Sequence, residues 1–191
     1  MKVIIVHGGT STEEAISTRN AIHVEEVLSR LGYETELVPY DQDMLEKLRL
    51  KAPDVVFICV QGKGHGDGTI QALLDFLKIP YTGSKTLGAA IINNKIVSKE
   101  LFERAGIPTP LWQPLSLADF KAGNFDFSRI GFPVVAKAPT QGGSFGIELI
   151  KSAEDIPRIE SVFAYDDPIL IEKFICGRFV TLGLLRRNGV L

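Results

Sequence analysis

The chain is 191 residues long, with 21 Lys and Arg against 23 Asp and Glu for a formal net charge of −2, and it is 45% hydrophobic and 23% charged. That balance excludes a nucleic-acid or anionic-membrane binder working by bulk positive charge, and the composition is that of a chain with a packed core. The length allows one domain, or a small one followed by part of another. Met1-Lys2 leads into four apolar residues before His7 and Gly8-Gly9, far short of a signal segment or of the roughly 18 apolar residues of a membrane span. A cytoplasmic location is therefore expected. Cys59 and Cys176 lie in apolar runs and read as buried thiols of a reducing compartment.

Residues 3–6, apolar and without alternation, have the pattern of a strand buried on both faces of a parallel sheet. After the break at Gly8-Gly9-Thr10-Ser11, apolar residues recur at three- and four-residue steps over 13–31, an amphipathic helix stopped by Gly32. A strand at 35–39, a helix at 43–50 and a third buried strand at 54–60 follow, then the glycine-rich loop 61–68. The spacing predicts helix over 69–77, an extended piece ending at 81–84 and a helix over 87–105. This is the rhythm of a doubly wound α/β unit.

Near residue 93 the rhythm stops, and a proline-bearing connector at 108–114 leads to a different pattern. The expected division is 1–93 and 94–191. Residues 1–92 hold nine basic against twelve acidic residues and 93–191 twelve against eleven, so the second part is the better anion binder. In it, strands at 133–139 and 146–150 flank the glycine-rich loop 140–145, with a helix at 155–164 and a strand at 168–175. A further strand is expected to begin at 179–185, turning at Asn188-Gly189. There is no internal repeat.

Lys137 stands among apolar neighbours in a predicted strand, so it either points to water from a half-exposed strand or has a partner. Gly142, Gly143 and Gly146 follow it and can turn backbone N–H groups toward an anion, a combination that suits phosphate. Neither a Walker A loop nor G-x-G-x-x-G after the first strand occurs. The turn at 8–13 lies where open α/β sheets meet ligands, or is an ordinary turn with Ser11 or Thr12 capping the helix and Glu13-Glu14 complementing its dipole. Loop 61–68 has the same topological position. His7, His23 and His65 have no metal-ligand spacing.

Taken in order, GGTSTEEAIS (8–17), GKGHGDGTIQALLDFLKIPYTGS (62–84), NNKIVSK (93–99), AGIPTP (105–110), FPVVAKAPTQGGSFGI (132–147) and LIEKFICGR (170–178) resemble the D-alanine–D-alanine ligase family of ATP-grasp enzymes. The resemblance implies a Rossmann-like N-terminal substrate domain followed by an incomplete α+β ATP-grasp domain. It further implies ATP-dependent joining of two D-alanines through an acyl phosphate, for peptidoglycan precursors. Carried over by motif, Lys95 and Lys137 hold ATP phosphates under the loop of Gly142, Gly143, Ser144 and Gly146. Glu172, Lys173 and Ile175 read adenine, the Glu172 carboxylate as acceptor and Lys173 beside the ring. Glu13 holds the ammonium of the first D-alanine and is the catalytic candidate, with Ser17 and Gln61 also on the substrate side.

Departures from the family pattern fall at Gln61, His65-Gly66, Asn94, Gly143 and Phe179, the last where the family has a ribose-binding carboxylate. The resemblance places the Mg²⁺ ligands beyond Leu191, none within the chain, so the 191 residues alone are expected to be inactive. It also implies small-molecule substrates, no nucleic-acid or membrane partner, and a homodimer through the N-terminal domain. Two other readings stay open: an ATP-grasp ligase joining another carboxylate and amine, and a non-catalytic nucleotide-binding relative.

Overall fold

The computed structural model describes residues 1–62 and 67–183. Its first sheet is three-stranded, in the order β2-β1-β3. β1 (Lys2–His7) pairs in parallel with β2 (Glu34–Pro39) and with β3 (Val55–Ile58), and Tyr81 bridges to Val56 at the edge. The unalternating β1 is covered on both faces, as its sequence requires. Val3 and Ile5 pack with Ala21 and Leu28 of α1 (Glu14–Arg30). Ile4 and Val6 pack with Met44 and Leu48 of α2 (Met44–Lys51) and with Ile70 and Leu74 of α3 (Thr69–Leu77).

The second sheet is four-stranded and antiparallel, in the order β4-β7-β5-β6, built from β4 (Trp112–Leu115), β5 (Val134–Lys137), β6 (Ile147–Ile150) and β7 (Ile169–Lys173). One face closes a core of Val134, Ala136, Ile150, Ile169 and Ile171 with Ile159 and Val162 of a 3-10 helix, Ala153–Ala164. Residues directly opposite one another across strands share a face. The other face is therefore two rows, Leu149-Val135-Glu172-Trp112 and Ile147-Lys137-Leu170-Pro114.

Several expectations are corrected. The helix over 87–105 is two, α4 (Thr86–Asn93) and α5 (Lys95–Arg104), because Asn94 is extended and its Oδ1 accepts from the Ile96 and Val97 amides at 3.0 and 3.3 Å, starting a new helix. The connector at 108–114 runs into β4, an edge strand that tolerates Pro114, and Ser116 then caps α6 (Leu117–Ala122). The helix at 155–164 is 3-10 and carries Pro157 inside it. Ser11 and Thr12 do not cap α1: Glu13 is the N-cap residue, without a side-chain bond, and the Ser11 hydroxyl donates instead to the Gln61 carbonyl at 2.9 Å. Residues 179–183 form no strand, and Phe179, Val180 and Leu182 are exposed because nothing pairs with them among the described residues. Cys176 is exposed, since the chain has left β7, whereas Cys59 is buried in the first sheet. His65-Gly66 and Asn188-Gly189 lie outside the described residues. Among those described, no helix is long and apolar enough to cross a membrane.

The core of the second sheet sets a stability contrast. Ile171→Ala, in a fully buried position, is expected to cost about 2–5 kcal/mol, whereas Phe76→Ala, at 85% exposure, changes stability by less than about 0.5 kcal/mol. Denaturant unfolding of the two variants measures both.

Candidate active site

The face of the antiparallel sheet turned away from that core is apolar except for Lys137 and Glu172. These stand diagonally on β5 and β7, Lys137 opposite Leu170 and Glu172 opposite Val135, within reach of long side chains. The Lys137 Nζ donates to Glu172 Oε1. Lys99 of α5 approaches from the other side, its Nζ 2.9 Å from Glu172 Oε2. Burial alone would raise the Glu172 carboxyl, but hydrogen bonds from Lys137 and Lys99 and their positive charges outweigh it and hold the group below the usual carboxylate range. Two clefts open on this face. One, of about 360 Å³, is lined by Lys95, Lys99, Lys137 and Glu172. The other, of about 410 Å³, is lined by Lys137, Ser144, Glu172, Ile175 and Phe179.

The glycine-rich loop joins β5 to β6 at the edge of this face. It is pinned at its start by Asp166, which accepts from the Thr140 amide and hydroxyl at 2.8 Å each. Gly143, Ser144 and Gly146 have φ of +57°, +67° and +62°, the left-handed region that lets successive N–H groups turn outward. At Gly146 a Cβ would lie 2.7 Å from the Cβ of Ala138, so only glycine lets the loop return onto β5. Lys95, the first residue of α5, reaches across and donates to the carbonyls of Gln141, Pro139 and Ala138. Burial, and then the positive charge of Lys137, lower its pKa from the ordinary 10.5; Asp166, Glu13 and Glu172 oppose the shift.

The parallel sheet contributes its turn after β1. Ser17, fully buried on α1, accepts from the Gly8 amide at 2.9 Å, and the Glu13 amide donates to Ser11 Oγ at 3.2 Å. The Glu13 side chain lies against the second loop: a Cβ on Gly142 would sit 2.7 Å from both of its carboxylate oxygens, and one on Gly62 3.3 Å from Oε2. Glycine at 142 is what permits the contact. Thr12 Oγ1 donates to Gln141 Oε1 at 3.4 Å across the same junction.

Of the residues singled out from sequence, the fold therefore gathers Glu13, Gly142, Gly143 and Lys95 at the junction of the two loops and sets Lys137, Glu172, Ser144 and Ile175 on the open face. It separates two others from these groups. Lys173 projects to the opposite face, its Nζ donating to the Gly131 and Phe132 carbonyls at 3.0 Å each, which leaves only its backbone beside Glu172. Ser17 is occupied with Gly8 and has no exposed surface, while Gln61 reaches the junction through the carbonyl that Ser11 binds. Sequence reading missed Lys99 and Asp166. Lys99 was signalled by its place one turn after Lys95 on the same helix face, whereas no pattern marks Asp166, which meets the loop only through the tertiary fold. Among the described residues no three His, Cys, Asp or Glu side chains gather as metal ligands.

A model of the D-ala D-ala ligase C-terminus matches residues 101–190. The D-alanine–D-alanine ligase of Moorella thermoacetica is 35% identical over 97% of this chain and 62% of its own length, and that of Geobacter sulfurreducens is 37% identical over 96% and 58%. A crystal structure of D-alanine–D-alanine ligase from Bacillus anthracis superposes with a TM-score of 0.78 at 32% identity, covering 93% of this chain and 58% of that one. The same enzyme complexed with ATP gives 0.77 at 29%, covering 93% and 60%. The chain thus spans about three-fifths of the length of the relatives it matches. In sequence over nearly its whole extent and in fold, this chain is similar to the D-alanine–D-alanine ligases.

Proposed function

We propose that this chain supplies the nucleotide-binding and first-substrate parts of an enzyme that uses ATP to join two D-alanines, in the synthesis of peptidoglycan precursors. The observation that carries the reading is the contact of the Glu13 carboxylate with Gly142 of the loop held by Lys95, because it brings an ammonium acceptor next to a phosphate-type nest. In the reaction proposed, a carboxylate oxygen of the first D-alanine attacks the γ-phosphorus of ATP and ADP departs. The amine of the second then attacks the acyl carbon, losing a proton and releasing phosphate. Glu13 holds the first ammonium so that its carboxylate faces the loop. Lys137 and the amides of 142–146 take the polyphosphate on the open sheet face, and Lys95 keeps the loop in place while adding positive charge. Glu172 and the backbone from Lys173 to Ile175 take the base in the larger cleft, 1–93 being the substrate side and 94–191 the nucleotide side.

Mg²⁺ accompanies ATP in such chemistry, and among the described residues no donor set for it is gathered. A different carboxylate or amine substrate is favoured by one feature: Gly143, beside the Glu13 carboxylate, has no hydroxyl to offer the reacting groups.

The reading is tested with the full-length protein by following ADP release and dipeptide formation as D-alanine is varied. The two are expected to rise together. Lys137→Ala should weaken ATP binding by about 1.5–3 kcal/mol, as for a lost charge-assisted bond, and Glu13→Gln should raise the KM for D-alanine while ATP binding stays unchanged. ADP release indifferent to D-alanine contradicts the reading.

A second expectation concerns pH. Lys95 has a lowered pKa, and a bound polyphosphate favours its protonated form, so binding takes up a proton once pH exceeds the free-state value. ATP affinity should thus fall as pH rises through a point below 10.5, and Lys95→Arg, always charged, should flatten the fall. Calorimetry in buffers of different ionisation enthalpy measures the proton uptake.

A further inference from the structure

Lys99 lies one helical turn after Lys95 on α5, and its side chain is only 8% exposed. An ammonium has three donors, and Lys99 has a fixed acceptor for each: Glu172 Oε2 at 2.9 Å, Thr109 Oγ1 at 2.6 Å and the Pro110 carbonyl at 3.1 Å. Lys137 differs in both respects. Its side chain is 25% exposed, it borders both clefts, and among the described residues it holds the other oxygen of Glu172 alone. An anion entering the face can draw Lys137 away from Glu172 but cannot engage Lys99 without breaking three contacts.

We propose that Lys99 is a positioning residue that keeps the Glu172 carboxylate aimed into the cleft, so that when Lys137 turns to a polyphosphate the released Oε1 accepts a hydrogen bond from the exocyclic amino group of the base. This rests on the nucleotide reading given above. A buried carboxylate stripped of its sole cation would carry a desolvation penalty and either neutralise or rotate away. With Lys99 in place the charge keeps a partner throughout. The Lys137–Glu172 bond is then exchangeable, and the Lys99–Glu172 bond is fixed, anchored at its far end to the segment entering β4. A hydrogen-bond acceptor that stays charged and oriented rejects a base lacking the amino group, because the acceptor is then left unpaired.

The test uses the full-length protein and calorimetric titration with ATP, with purine riboside triphosphate, which lacks the amino group, and with inorganic tripolyphosphate. Wild type should prefer ATP to the riboside by about tenfold or more, the range for a hydrogen bond to a charged group. Lys99→Met should bring that preference below about threefold while leaving tripolyphosphate affinity unchanged, and Lys99→Arg should restore most of it. Lys137→Met should do the reverse, lowering tripolyphosphate affinity and keeping the base preference. If Lys99→Met does not melt cooperatively, Thr109→Val, which removes one anchor of Lys99, is expected to reduce the preference in the same direction. A Lys99→Met protein that keeps the preference, or that loses tripolyphosphate affinity in proportion, overturns the proposal, as does a Thr109→Val protein with full preference. Wild type that binds none of the three overturns the nucleotide reading itself, whereas wild type that binds all three equally overturns only the role given to Glu172 and Lys99.

Discussion

A carboxylate on an otherwise apolar sheet face must be paired, and the site is organised around the pairing of Glu172 with Lys99 and Lys137. Lys99 comes from α5, so satisfying Glu172 draws that helix over the β4-β7 edge, where Glu103 also accepts from the Trp112 indole at 2.8 Å. Once α5 is placed, Lys95 at its first turn is within reach of the glycine-rich loop. Its ammonium sits at a helix N-terminus, an unfavourable end for a cation, and the loop carbonyls that surround it offset that cost. The loop in turn meets Glu13 at Gly142. One chain of contacts therefore runs from the open sheet face to the turn after β1.

The two sheets contribute differently because of how they are covered. The parallel sheet is packed on both sides, so β1 can present chemistry only beyond its carboxyl end, where Gly8 and Glu13 stand. The antiparallel sheet packs against the 3-10 helix on one side; its other side, where Leu170 is buried and Lys99 of α5 reaches Glu172, carries Lys137 and Glu172 among apolar neighbours. Such a surface, apolar with a few converging charges, is suited to a flat ring carrying a charged tail.

Much of this was legible in the residues. The uninterrupted Val3-Ile4-Ile5-Val6 run has the covering it implies, and the apolar spacing of α1, α2 and α3 is met by the cores on either side of β1. Lys137 among apolar neighbours left two readings, facing water or paired, and it is paired with Glu172; the partner could not be named without the register that sets β5 beside β7. What was missed depends on tertiary context or on local capping. Asn94 splits a continuous apolar pattern because its side chain supplies a start signal inside it. β4 is hidden by Pro114, which an edge strand accepts. Lys173 adjoins Glu172 in sequence, but strand alternation sends the two side chains to opposite faces.

The most direct measurement is a crystal structure of the full-length protein with a non-hydrolysable ATP analogue. The polyphosphate should lie against the Lys137 ammonium and the amides of 142–146, with the base in the cleft between Glu172 and Ile175 and Lys99 still bonded to Glu172 Oε2. An analogue bound away from the open sheet face, or one that leaves the Lys137–Glu172 bond intact and touches neither residue, would contradict the assignment of that face to the nucleotide.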